Sequence, residues 1–456
     1  MSRLRLTGGT VVRSLHPVIL EDADLLIDGD RVIDPGGETA GGPMAGGAAT
    51  ESRIDCSGCL VLPGNVCAHT HAYSALARGM PYRLDPPTTF LDILRRIWWR
   101  LDRALDPASI RASALVAAAE ALRAGTTTLI DHHASPTAVD GSLDIIGDAF
   151  AEVGIRSVLC YETSDRDGPQ VARAGLRENE RFARRTAGGH LPLARAMVGA
   201  HASFTLGDES LAGCADLART AGIGLHIHVA EDAADESDAL ERCGVRAVER
   251  LHAGGALDDH SLLAHGVWLD DAEIELIRDA GATVVHNARS NLGNQVGHAP
   301  LARLGHAVAL GTDGIGADLF EEGRVAFLAA RAARSVDDPS WALGRLAVGA
   351  VVAGGSFGEP DLGRLVPGAP ADVTVLDYAP PSPLSAATFA GHWLYGISAS
   401  RVRDVLVAGR VLVRDHGLVS VDEERLAHQA RDEAARLWDR LDAIGEHPFA
   451  TWEAPP

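Results

Sequence analysis

From Leu60 onward, short apolar runs rich in β-branched residues alternate with longer stretches whose apolar positions recur every three or four residues. The short runs have the character of buried strands, and the longer ones that of helices packed by one face. One run starts at Leu60 and ends in His69 and His71; others at 126–131, 155–160, 194–200, 224–229, 261–264, 283–286 and 307–311 complete a set of eight predicted strands. Helices are predicted over 90–105, 107–124, 172–186, 208–221, 235–252 and 270–280. Eight strands in succession, with helices between most of them, predict an α/β fold: a parallel (β/α)8 TIM barrel.

The two ends of the chain read differently. Segments 4–12 and 23–33 are short strands, with Asp28-Gly29-Asp30 supplying turn chemistry, and 36–50 is a Gly/Ala/Pro-rich stretch expected to be a flexible surface loop. After Gly363 strands return at 365–377 and 402–413, matching the N-terminal ones in length and turn residues. The two ends are therefore expected to share one small composite β-sandwich. The expected division is sandwich over 1–59 and 362–420, barrel over 60–361, and a C-terminal helix (423–443) with its tail over 421–456.

The chemistry collects where the predicted strands end. His69 and His71 are two residues apart and so leave the same side of a strand. His228, Ala264-His265 and Gly311-Thr-Asp313-Gly each close a further apolar run, and barrel enzymes place their chemistry at the C-terminal ends of strands. His69, His71, His228 and Asp313 form a nitrogen and oxygen donor set suited to one divalent metal, Zn2+ first, with Fe2+ or Mn2+ as alternatives. His226 points the same way as His228 but sits deeper, and reads as a core histidine. Glu231, three residues beyond His228, is placed to carry a proton. His265 can orient the attacking water, and Asp313 can accept a proton as well as ligate. Water activated in this way attacks an sp2 carbon, which is hydrolytic deamination or its relative, amide-type hydrolysis.

Composition narrows the partners. With 456 residues, the chain is long enough for one large and one small domain, and its formal net charge of -21 argues against nucleic acid or an anionic membrane surface. No apolar run approaches the ~20 residues of a membrane span, and the first residues lack the apolar core of a signal peptide, so a cytoplasmic location is expected. Six scattered cysteines fit a reducing compartment, and the lone pair Cys56 and Cys59 reads as packing. There is no lysine in the chain, so neither a Schiff-base lysine nor a lysine bridging two metals is available.

Taken together, His69-Thr-His71, His228-Val-Ala-Glu231, Ala264-His265, His286-Asn-Ala-Arg-Ser-Asn291 and Gly311-Thr-Asp313-Gly314 resemble the mononuclear aminohydrolase branch of the amidohydrolase superfamily. That branch includes guanine, cytosine and S-adenosylhomocysteine deaminases and the triazine chlorohydrolases. Tyr73-Ser-Ala-Leu-Ala-Arg78, Trp98-Trp-Arg-Leu-Asp-Arg103, Asp131-His-His-Ala-Ser-Pro136, Tyr161 to Gly168 and Gly199-Ala-His201 to Leu206 are most similar to its SsnA-type members. Ala288 departs from the proline of many relatives. The resemblance implies a barrel with a composite sandwich, the roles given above, and His201 as a substrate contact. Arg78, His133 and Tyr73 near the mouth are further candidates, and Trp98 and Trp99 could wall a planar ring. The expected reaction is deamination of an amino-substituted nitrogen heterocycle such as a purine, pterin or pyrimidine. The alternatives are ring opening of a cyclic amide or amidine, displacement of chloride, and a non-catalytic metal-binding scaffold. Relatives also point to a homodimer or larger assembly.

Overall fold

The computed structural model describes residues 3–34 and 51–449. The expected loop at 36–50 lies outside the described residues. The barrel strands are β1 (Asn65–Thr70), β2 (Thr126–His133), β3 (Arg156–Thr163), β4 (Val198–Ala202), β5 (Leu225–Val229), β6 (Leu262–His265), β7 (Thr283–His286) and β8 (Val308–Leu310). Each pairs in parallel with the next in chain order. The ring closes through a parallel bridge between Thr70 and Asp313, where the N–H groups of Thr312 and Asp313 both donate to the His69 carbonyl at 2.8 and 3.1 Å. The (β/α)8 barrel read from the alternation is present.

Low in the barrel, Val66, Ala68, Ile130, Val158, Cys160, Leu262, Val285 and Ala309 fill the interior. Ala350, Ala353 and Phe357 of the helix Ser340–Phe357 join the same cluster. By length and composition this helix could cross a membrane, yet half of its most apolar window is buried, and it packs on β1 and β8. Its weakly amphipathic sequence is why periodicity alone did not reveal it. Other helices not expected include Ser142–Val153, Leu319–Ala332 and the shorter Phe389–Gly396.

The apolar run from Leu60 divides in two. Leu60–Pro63 belongs to the small sandwich, pairing antiparallel with Val373–Leu376 and parallel with Thr10–Leu15. Only from Asn65 does the chain enter the barrel. Gly64 makes the passage, because a Cβ there would lie 2.2 Å from the Thr127 side chain. Both halves are buried, so hydrophobicity continues across a change of sheet. The resulting seven-stranded sheet takes strands from both ends of the chain and faces a four-stranded one built from Arg3–Thr7, Leu25–Asp28, Arg31–Ile33 and Glu51–Asp55. The sandwich is composite, as the turn chemistry predicted. Several predicted elements are also interrupted. The helix expected over 235–252 breaks into Ala233–Cys243 and Ala247–Ala253 at Gly244, whose φ of 71° ends the first helix. The strand expected over 365–377 is regular only from Val373 to Leu376.

A buried ion pair joins the barrel to the sandwich. Arg156 at the start of β3 donates to both Asp372 oxygens at 2.8 and 3.1 Å, and the Ala408 N–H donates to the same carboxylate at 2.7 Å. Both partners are about 95% buried, so removing the carboxylate strands a guanidinium in the interior. Asp372→Ala is expected to lower unfolding stability by about 3–5 kcal/mol, read as a shifted midpoint in urea denaturation. An unchanged midpoint would show that this pair does not hold barrel and sandwich together.

Candidate active site

The site is built where β1, β5, β6 and β8 end. The pairing register between β1 and β2 slips between Cys67 and Thr70, and His69 and His71 both reach the barrel axis, their rings 4.8 Å apart. His71 Nε2 lies 3.1 Å from His228 Nε2 and 3.2 Å from Asp313 Oδ1, and His69 Nε2 lies 3.6 Å from that same oxygen. Each ring is fixed through its other nitrogen. His71 Nδ1 donates to the His132 carbonyl at 2.6 Å, His228 Nδ1 donates to the His201 carbonyl at 2.8 Å, and His69 Nδ1 meets His226 Nε2 at 2.9 Å. With Nδ1 carrying the proton, the Nε2 lone pairs converge with a carboxylate.

Lone pairs and a carboxylate aimed at one point repel each other unless a cation lies among them. His69 Nε2 and His265 Nε2 are moreover buried without a hydrogen-bond partner. Donor atoms of His69, His228, His265 and Asp313 all lie within 4.8 Å of one another. This arrangement fits a divalent metal, with the outer hydrogen bonds that hold metal-binding histidines in one tautomer. Protonation behaviour points the same way. Burial opposes a charge on His71, but the Asp313 carboxylate outweighs it and raises the imidazole pKa to about 9. Burial also holds His69 down to about 3 and His228 well below the usual imidazole range, so these rings stay neutral donors.

Three residues at the site leave ordinary strand geometry. Ala230, His265 and Asp313 have φ of 50°, 77° and 53°, left-handed conformations that cost about 1–3 kcal/mol each for residues other than glycine. At Ala230 the turn is held by Asp235, whose carboxylate accepts the Ala230 and Phe204 N–H groups at 2.8 and 3.2 Å. Glu231 follows directly. Its Oε2 lies 3.5 Å from His265 Nε2, and its Oε1 accepts Asn294 Nδ2 at 3.5 Å. Burial, only partly offset by His265, pushes its carboxyl up to about 7. His265 in turn donates from Nδ1 to Asn291 Oδ1 at 2.8 Å, and Ser290 Oγ donates to Asp313 Oδ2.

Above the histidines opens a cleft of about 690 Å³, its solvent-facing mouth included. His71, His228, Glu231 and Asp313 form one end, and Tyr73, Phe90, Trp98, Trp99 and Phe204 form aromatic walls. His201, Glu162 and Asp102 add polar edges. Of the expected substrate contacts, His201 and Tyr73 line this cleft. Arg78 does not: it is two-thirds exposed, pairs with Glu120 through two 2.8 Å hydrogen bonds, and borders a neighbouring groove. His133 does not either. Strand alternation sends its neighbour His132 toward the axis, while His133 is buried between Tyr73 and Tyr161 and bonded to Ser135 Oγ at 2.9 Å. His226 is the core histidine expected, bonded to His69. Cys56 and Cys59 are free thiols against Arg403.

The cluster Glu162, Arg166 and Asp102 carried no role in the sequence reading. Arg166 donates to Glu162 at 2.6 Å and to Asp102 at 2.7 Å, and all three are buried. The signal was a Glu and an Arg four residues apart across a strand end, inside a motif already singled out. Asn291 and Ser290 likewise sat in a quoted motif without a role.

Residues 60–412 match the amidohydrolase family. The chain belongs to that family. Among curated proteins, this amidohydrolase is 31% identical over 455 residues to the 5'-deoxyadenosine deaminase of Methanopyrus kandleri, covering 95% of this chain and 99% of the relative. It is 32% identical to the 5-methylthioadenosine/S-adenosylhomocysteine deaminase of Haloarcula marismortui, covering 96% and 99%. Among solved structures, the amidohydrolase superposes on an adenosine deaminase from Xanthomonas campestris with bound zinc, with TM-score 0.81, 22% identity and coverage of 97% and 99%. It also superposes on the atrazine chlorohydrolase of Arthrobacter aurescens TC1 complexed with zinc, with TM-score 0.78, 24% identity and coverage of 94% and 100%. These likenesses bear out the barrel and the family that the motifs predicted.

Proposed function

We propose that this amidohydrolase hydrolytically deaminates an adenosine-type purine nucleoside, with His69, His71, His228 and Asp313 holding one Zn2+ and Glu231 moving the proton. The curated relatives are named for deaminating adenosine derivatives, which supports a nucleoside over the pterins and pyrimidines that the motifs alone left open. The observation that carries the reading is the placement of Glu231: a buried carboxyl, 3.5 Å from His265 Nε2, in the same cleft as the converging imidazoles and Asp313.

When bound, a divalent metal acidifies water from pKa ~15.7 toward ~7 and so supplies the nucleophile at neutral pH. The rest falls to the chain. His265, held by Asn291, faces the attacking water and fixes its direction. Glu231 takes a proton from that water and gives it to the ring nitrogen beside the amino-bearing carbon, removing the ring's aromatic resistance to attack. Asp313, its second oxygen bonded to Ser290, accepts the remaining proton and returns it to the departing amine. A C–O bond forms, the C–N bond breaks, and the products are an oxo-purine and ammonia. Tyr73, Trp98, Trp99 and Phe204 hold the ring flat and keep bulk water out.

The protonation of Glu231 sets the acid side of the pH profile. It must be ionised to take the first proton, and burial raises its pKa from 4.5 to about 7, a value that a bound cation would pull back down. We therefore expect kcat/KM to fall below a pH lying between those values, with a limiting slope of one. Activity that stays flat down to the ordinary carboxylate value would exclude this role.

The assignment is tested by mass spectrometry with ammonia detection on metal-reconstituted protein, given 5'-deoxyadenosine, 5'-methylthioadenosine, adenosine, free aminopurines, pterins and aminopyrimidines. Ammonia release with amino-to-oxo exchange on the nucleosides is the expected result. A product that has gained water and kept its nitrogen would instead establish ring opening, and metal analysis of the purified protein decides between zinc, iron and manganese.

A further inference from the structure

One wall of the cleft comes from a single helical segment, 90–104, made of Phe90–Ile93, a π-turn Leu94–Trp98 and Trp99–Ala104. It supplies Phe90, Leu94, Trp98, Trp99 and Asp102 to the cleft. π-turns insert an extra residue at a cost in helix geometry and recur at functional sites. What holds this segment in place is the far end of the chain. The closing helix Glu423–Asp442 docks through Trp438 Nε1 on the Leu76 carbonyl at 2.9 Å and Arg440 Nε on the Ala104 carbonyl at 2.8 Å. The chain then turns back along the outside of the segment. Arg100 donates to the Leu441 and Ile444 carbonyls at 2.9 and 2.8 Å. The His447 N–H donates to the Arg95 carbonyl at 2.9 Å, and Arg95 Nε returns a bond to the His447 carbonyl at 3.0 Å. Glu446 pairs with both Arg95 and Arg96 at 3.1 Å.

The inward side chain of this run is His447, which is fully buried. Its ring packs on Trp99 at 5.1 Å, its Nε2–H donates to Asp167 Oδ1 at 3.4 Å, and its Nδ1 accepts the Phe449 N–H at 3.1 Å. Both nitrogens are thus used, which sets a single tautomer. Asp167 carries the connection inward. It accepts Arg103 Nε at 2.7 Å and lies 3.7 Å from Arg166 Nε, and Arg166 is the residue that grips Glu162 and Asp102 on the cleft wall.

We propose that residues 443–449 form a strap that sets the position of segment 90–104, with His447 as the positioning residue through which the tail fixes the substrate-facing wall. The strap rests on the reading that this cleft receives the substrate. Its contacts among the described residues run to segment 90–104 and Asp167, so it governs how well substrate is held and leaves the chemical step largely alone.

The test compares His447→Ala and His447→Gln with wild type in the full-length, metal-loaded protein. Glutamine can place an N–H near the position of Nε2 and so keep the bond to Asp167. Hydrogen exchange read by mass spectrometry should speed up by about tenfold across 90–104 in the alanine variant, with the barrel strands unchanged. KM should rise by about tenfold with kcat within about threefold and metal content unaltered, and glutamine should restore both readings. Wild-type exchange across 90–104 would overturn the strap, and faster exchange with an unchanged KM would overturn its role in holding substrate. Should His447→Ala fail to fold, Phe449→Ala, which removes the ring packed on Trp99 at 5.7 Å, is read in the same way. The exchange measurement needs no substrate. It decides the strap even if the nucleosides above are not turned over, a result that would count only against the proposed reaction.

Discussion

Replacing Glu231 by glutamine is expected to lower kcat by about a thousandfold, within the 10²–10⁴ that a positioned proton carrier contributes, while metal content and KM change little. Glutamine fills the same space and can still meet Asn294 Nδ2, which lies 3.5 Å from Oε1, so packing is conserved and only the exchangeable proton is lost. The kinetic form separates this from a binding defect: kcat and kcat/KM should fall together, because the missing interaction is made in the transition state. Steady-state assays beside metal analysis provide the check. A glutamine variant turning over at the wild-type rate would remove Glu231 from the mechanism.

The second large effect concerns the donor set. Asp313→Asn and His71→Ala each remove one of the groups that converge within 3.2 Å of each other, and we expect metal affinity to fall at least a hundredfold and activity to fall with it. The histidines behind them give a graded control. His226 meets the donor set through His69 Nδ1 at 2.9 Å, so His226→Ala should weaken metal binding by about ten- to hundredfold, as loss of an outer hydrogen bond does. Competition with a chromophoric chelator measures all three. Unchanged affinity in both ligand variants would mean that the metal is held elsewhere.

The features that could be read from the chain were those where local pattern and tertiary role coincide. Alternation of strand-like and helix-like runs announced the barrel, because the barrel strands bury nearly all their residues and many of the helices between them show one apolar face. His69, His71, His228 and Asp313 stood out because each ends an apolar run, where a polar group otherwise has no reason to sit. What was missed depends on contacts between distant segments. The switch of sheets at Gly64 is invisible to hydrophobicity, since Leu60–Pro63 and Asn65–Thr70 are equally buried. Arg78 and His133 lie close in sequence to true cleft residues, but Glu120 claims the first and strand alternation turns the second aside. In the charged trio, Glu162 and Arg166 are four residues apart and carry a local signal, but Asp102 lies 64 positions from Arg166, and no local spacing announces that third member.

The last hoop of the barrel is fastened at the same place as the chemistry. The Thr312 and Asp313 N–H groups both hang from the His69 carbonyl, and Thr70 Oγ1 and the His71 N–H both reach the Asp313 carbonyl, at 3.0 and 3.3 Å. The first and eighth staves are therefore clasped by the backbones of the very residues whose side chains we propose as holding the ion. With that assignment, folding and ion uptake are expected to share one equilibrium, since an ion bound only by the closed ring stabilises it by about 2.7 kcal/mol at a free concentration 100 times its dissociation constant. A melting curve of this protein is thus also a gauge of how much of it is loaded.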